Sequence, residues 1–265
     1  MLIYNREIRK NAKALFIWGI ILGGIILMTL SIYPQFTQDQ ETMNDLLSAY
    51  PDSFKQAFGM DRLDIGTLLG FYGMQVHFMT TLIGSIYAVM LTSNMIAKEE
   101  NEKTIEFLLS KPITRTRIMT EKSLAVLTNI ILLNVINVVV CLIGFQFANE
   151  DIPMKTFMVL IVGTMLLHIT FAAVAFLLSV IMKKSRTITS VSLGLVLISY
   201  FFGVVSGITE DMEVLKYASL FKYVDAADII SEGAIDLLYL SIMIGITLIS
   251  TWLSYAFYLK KDIAT

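Results

Sequence analysis

Six apolar runs, each long enough to cross a bilayer, leave this chain few folds to choose from. About 20 consecutive apolar residues span the hydrocarbon core as an α-helix, and such runs lie near 15–33, 71–97, 123–148, 156–182, 189–208 and 237–259. Inside lipid every backbone N–H and C=O must be satisfied by the element itself, so the runs predict helices rather than open strands. Composition agrees: 56% of the 265 residues are hydrophobic and 16% charged, where soluble domains average about 45–50% and about 25%. The expected fold class is all-α: a polytopic membrane protein with six transmembrane helices, residues 1–265 forming one transmembrane domain.

Charge sets the orientation. Of the 20 Lys and Arg residues, 15 fall before the first run, at 98–122, at 183–186 and at 260–261, whereas 15 of the 22 acids fall in the alternate segments. The positive-inside rule then predicts that both termini are cytoplasmic, as an even number of spans requires. The run at 15–33 exceeds the roughly 7–15 residues of a signal-peptide core, and no A-x-A site follows it. Residues 2–14 place Tyr4, Ile8, Ala12 and Leu15 on one helical face and turn Arg6, Arg9, Lys10 and Lys13 toward the other. This pattern predicts an N-terminal interfacial helix over 1–14, its cations on anionic headgroups.

Several function classes are disfavoured. No Asp, Glu, Lys or Arg falls in the middle of a run, although ion-coupled carriers commonly need ionisable groups at membrane depth. There is no G-x-x-x-x-G-K-[ST] phosphate loop, so ATP is not expected on this chain by that route. Two histidines and the lone Cys141, without H-E-x-x-H or C-x-x-C, predict no metal site and no disulfide framework. The polar residues at membrane depth include Gln75, His77, Asn134, Asn137 and His168. Interhelical hydrogen bonding is their ordinary role, and lining a substrate path is the functional alternative. The pairs Gly19/Gly23, Gly66/Gly70 and Gly203/Gly207 have the spacing that lets helix backbones approach closely.

The segment between the second and third runs carries the strongest signal. Ile105, Leu108 and Leu109 stand at i, i+3, i+4, so a helix over about 99–110 presents one apolar stripe. Glu99, Glu100, Glu102 and Glu106 suit its early turns. Pro112 forces a break at Lys111, and Thr114 is placed to cap a second helix that begins near Arg115 and continues into the third span. An acidic stretch, Thr104, Glu106, Leu108, Leu109, Pro112, Thr114 and Arg115 together resemble the integral-membrane permease of the type-two ABC exporter superfamily. Lys103 stands where that family usually has Gly. The outer stretch Y-P-D-S-F-K-Q-A-F-G at 50–59 resembles a sub-branch of bacterial permeases.

The resemblance implies a permease subunit of an ATP-driven exporter in a bacterial cell membrane. It also implies that segment 99–115 is a cytoplasmic coupling helix docking on a separate cytosolic ABC ATPase, with Glu99, Glu102, Thr104, Ile105, Glu106, Leu108, Leu109, Pro112, Thr114 and Arg115 at the contact. ATP and Mg would sit on that partner, with no cofactor on this chain and no nucleic acid involved. Two permease chains, alike or different, would form the path. Spans without central charge and rich in Phe and Met point to an amphipathic or hydrophobic substrate such as a peptide, bacteriocin or drug. Residues 209–236 mix seven acids with apolar residues, predicting short amphipathic helices that cap the outer mouth. Asp225, Asp228 and Glu232 are candidate gate residues there, favouring the exit of cationic peptides. A regulatory membrane subunit of the same fold is the main alternative; a membrane enzyme is weaker, since no convergent polar site is legible.

Overall fold

A computed structural model describes residues 2–38, 48–57, 59–98, 113–148, 150–208 and 210–261. Among them, six helices are long and apolar enough to cross a membrane, and no strand occurs. Helix α1 spans Leu2–Gln38, α2 Asp52–Ala57, α3 Leu68–Phe71 and α4 Phe78–Ser93, with a π-helical turn over Tyr72–His77 joining the last two into one span. Then come α5 (Arg115–Phe145), α6 (Met154–Ile181), α7 (Ser185–Ser206), two 3₁₀ turns (Glu210–Ala218 and Lys222–Val224), α8 (Ala226–Glu232) and α9 (Leu237–Lys260). The architecture is an all-helical, six-span bundle.

The first helix departs from expectation. Residues 2–14 do not form a separate interfacial helix; they are the opening turns of α1, which continues without a break into the span. At 1.5 Å per residue its 37 residues reach about 55 Å. The cause is a partner that the local pattern could not reveal. Helix α5 runs parallel to α1 along its length: Ile3 packs on Ile118, and the Glu121 carboxylate accepts from the N–H groups of Ile3 (2.9 Å) and Tyr4 (3.1 Å). Glu121 thereby satisfies two of the orphan donors at the start of α1. Farther along, Gly19 and Gly23 face Ile136 and Val140, which would lie 3.3 Å from an added Cβ at either glycine. This pair is a true close-approach stripe. Gly66 lies in the turn before α3 and Gly207 caps the end of α7, so the other two pairs are not helix seams.

Helix α6 is the hub. Apolar on all sides, it packs against α4, α5, α7 and α9, as an enclosed helix should. Tyr72, Phe145 and Phe157 from the π turn, α5 and α6 meet edge to face, with centroids 5.1–5.7 Å apart, a preferred aromatic geometry. The two ends of the bundle are electrically unlike. At the basic end the C-termini of the even-numbered spans meet cations: Arg115 donates to the Lys261 carbonyl at 2.7 Å, Lys261 to the Val180 carbonyl at 2.9 Å, and Lys122 to the Met95 carbonyl. At the acidic end their N-termini meet carboxylates: Glu150 accepts from Leu68 N–H at 3.3 Å, and Asp236 caps α9 through Leu238 N–H at 2.6 Å.

Candidate functional site

Near the acidic end, the π turn, α7 and the chain from Leu220 to Ala227 enclose a cavity of about 120 Å³. Its wall includes Met74, His77, Phe78, Tyr200, Phe221 and Lys222. The π turn widens the helix where α8 must dock: a Cβ on Gly73 would stand 3.0 Å from Ile230 and 3.1 Å from Ala226. π turns inside spans are frequent at functional sites. Phe221 wedges between Phe171 and Tyr200, at centroid distances of 5.5 and 5.8 Å. The Ser199 hydroxyl accepts from Leu220 N–H at 2.9 Å. Gly203 has only 2.7 Å between an added Cβ and the Ser219 hydroxyl, so this irregular stretch lies tightly against α7.

Beneath the cavity, buried polar groups bridge the helices. His77 Nε2 donates to the Val224 carbonyl at 2.8 Å, and its Nδ1 faces the Thr164 hydroxyl at 3.4 Å. His168 Nε2 donates to the Thr80 carbonyl at 3.2 Å, and its Nδ1 accepts from Asn134 at 3.2 Å. These tautomers are assigned from the partners, since a carbonyl can only accept. Of the five residues considered for a path, His77 reaches the cavity wall. Asn134 and His168 meet each other inside the bundle, joining α5, α6 and α4. Asn137 is 2% exposed, with neither side-chain atom hydrogen-bonded among the described residues. Gln75 is half-buried in the π turn.

Charged residues close the rim. Arg62 pairs with Asp225 at 3.3 Å and with Asp228, and Lys222 pairs with Asp225 at 2.6 Å. Asp225 also caps α8 through Ala227 N–H at 3.0 Å. Burial pushes the Asp225 carboxyl up, but Lys222 and Arg62 outweigh it and hold the group below its ordinary range. Asp225 and Asp228 thus serve as latch groups fixing the cap, while Glu232 is exposed. Arg62 and Lys222 do not stand out in the sequence, because rare cations on an acidic face show no pairing until the fold brings them together.

Of the expected coupling residues, Glu99, Glu102, Thr104, Ile105, Glu106, Leu108, Leu109 and Pro112 lie outside the described residues. Thr114 caps α5, accepting from Arg117 N–H at 3.3 Å. The Arg115 guanidinium is engaged within the chain, on the carbonyls ending α9. No group of three or more His, Cys, Asp or Glu able to hold a metal occurs among the described residues.

A search of curated proteins gave no match. The family model described as ABC-2 family transporter protein matches residues 1–263. With that match laid over a bundle of six apolar spans, the chain belongs to the ABC-2 family of transporter proteins and is a multi-pass membrane permease subunit of an ABC transporter.

Proposed function

We propose that this permease exports an amphipathic or hydrophobic substrate, a peptide, bacteriocin or drug, from the cytoplasm, driven by a separate cytosolic ATPase that binds ATP and Mg. The observation that carries this reading is the family match across residues 1–263. Small-molecule sites run to about 300–1,000 Å³, and the cavity at the rim offers about 120 Å³. The rim cavity is too small to hold such a substrate alone; the path runs between two permease chains, as the family resemblance implies, with the rim cavity forming part of one wall. The basic end, rich in Lys and Arg, faces the cytosol. Segment 99–115 transmits ATPase closure, Leu108 and Leu109 burying their face in the partner.

The test uses the permease with the ATPase that copurifies with it, reconstituted in inside-out vesicles. ATP should drive accumulation of a fluorescent cationic amphipathic peptide. Leu108→Asp should insert normally yet abolish accumulation and ATPase stimulation, since a buried leucine contributes roughly 1.5–3 kcal/mol and a buried charge costs more. Peptide-insensitive ATPase activity without accumulation would instead support a regulatory subunit.

A further inference from the structure

A second cavity, of about 240 Å³, lies at the basic end between α1 and α4. Its chemistry is graded. Toward the end of the bundle it is lined by Lys10, Lys98 and Glu7, and toward the membrane centre by Trp18, Tyr87, Met90 and Leu91. Among the described residues Glu7, 2% exposed, is the one acid in this wall, and it is shared: Arg6 holds one oxygen at 2.9 Å and Lys98 approaches the other at 3.9 Å. The buried Lys122 ammonium sits just behind, on the carbonyl of the wall residue Met95. Burial and the neighbouring Lys10 ammonium, opposed by Glu7, hold Lys98 down to about 8. An anion seated between the two lysines relieves that crowding. A second, independent observation points the same way. Tyr87, a wall residue, is 2% exposed, and its buried hydroxyl has no hydrogen-bond partner among the described residues. An orphaned buried hydroxyl costs stability unless something completes it.

We propose that this cavity is a binding site for the phosphate of an anionic phospholipid, with Lys10 and Lys98 on the phosphate, Tyr87 donating to its oxygens or to the glycerol ester, and Trp18, Met90 and Leu91 along the first acyl carbons. Free phosphate shares the ionic half of this chemistry, but the apolar floor fits only a lipid. Its depth matches: Trp18 and Tyr87, with rings 5.8 Å apart, are residue types that settle at the membrane–water boundary. Basic clefts between spans on the cytoplasmic side suit anionic headgroups. The leaflet assignment rests on the orientation given under the proposed function; the lipid chemistry does not.

The test is native mass spectrometry of the full chain in detergent, equilibrated with equal amounts of phosphatidylglycerol and phosphatidylcholine. The wild type should retain phosphatidylglycerol preferentially. Lys10→Gln/Lys98→Gln should lower that retention by about tenfold or more, two headgroup cations being removed. Arg9→Gln/Lys13→Gln, on the same helix but outside the cavity, should keep it, and Tyr87→Phe should weaken it several-fold. Equal losses in both double variants would overturn the site in favour of diffuse surface attraction. Displacement of the lipid by millimolar inorganic phosphate would overturn the lipid assignment. Loss of ATPase copurification in Lys10→Gln/Lys98→Gln with lipid retention intact would assign the cavity to an acidic protein partner instead. None of these readouts involves transport, so failure here is distinct from failure of the export reading.

Discussion

Gly84 shows how a single missing side chain can organise a membrane bundle. The His168 imidazole lies over it, so a Cβ there would stand 2.3 Å from ring atoms of His168. Only glycine lets the ring reach the Thr80 carbonyl and Asn134 together. Gly84→Ala should therefore destabilise the bundle by about 1–3 kcal/mol, as overpacking does. The same change in a His168→Ala background should cost much less, and a double-mutant cycle by denaturation in mixed micelles measures that coupling. Additive effects would mean that the ring and Gly84 are not in contact. The sequence marked His168 and Asn134 as polar groups at membrane depth but could not pair them, because they are 34 positions apart on different helices. Nor did Gly84 stand out, since its neighbour in space belongs to another span.

At the scale of elements, helix ends carry the electrostatics. Arg115 begins α5 and ties down the end of α9, satisfying carbonyls that a helix terminus leaves without partners. Arg115→Gln should raise hydrogen exchange in the last turn of α9 by about tenfold or more, in line with roughly 1.5–3 kcal/mol for a charged hydrogen bond. Exchange at the start of α9, capped by Asp236, should not change. A second prediction concerns α8. Asp225→Asn keeps a good capping side chain but removes the charge that faces Lys222 and Arg62, so faster exchange over 220–232 would report the ion pairs and not the cap. The sign of the pH effect follows from the depressed Asp225 carboxyl. Its stabilisation is complete above the ordinary value of 3.8 and is lost as pH falls through the lower native value. Exchange in this segment, corrected for intrinsic rates, should be level from pH 7 to 5; a rise already at pH 5 would mean that the latch is not ionic. Capping at Thr114 was legible from Pro112 and the Thr-Arg start. The latch was not, because Arg62 lies 163 positions from Asp225.

For the whole molecule the charge asymmetry has two causes acting in the same direction. The positive-inside rule places cations on one face, and the three even-numbered spans all end there, with carbonyl termini that favour cations by the helix dipole. Lys122, Lys261 and Arg115 meet both demands, as Glu150 and Asp236 do for acids at the other face. A Cys at Lys184 should react only with cytosolic reagent, and one at Glu213 only with external reagent; labelling of Glu213→Cys from inside would reverse the bundle. The number of spans and the all-helical class were settled by sequence, because a backbone in hydrocarbon has no solvent to bond and a run of about 20 apolar residues has one way to cross. Which helices touch was decided only by the tertiary structure. Apolar side chains face lipid as readily as protein, so burial leaves no stripe to read, and contact is set by small residues and buried polar groups whose partners are far along the chain. For the same reason residues 2–14 looked amphipathic enough to lie on a membrane surface, yet they run beside α5, held by Ile118 and Glu121.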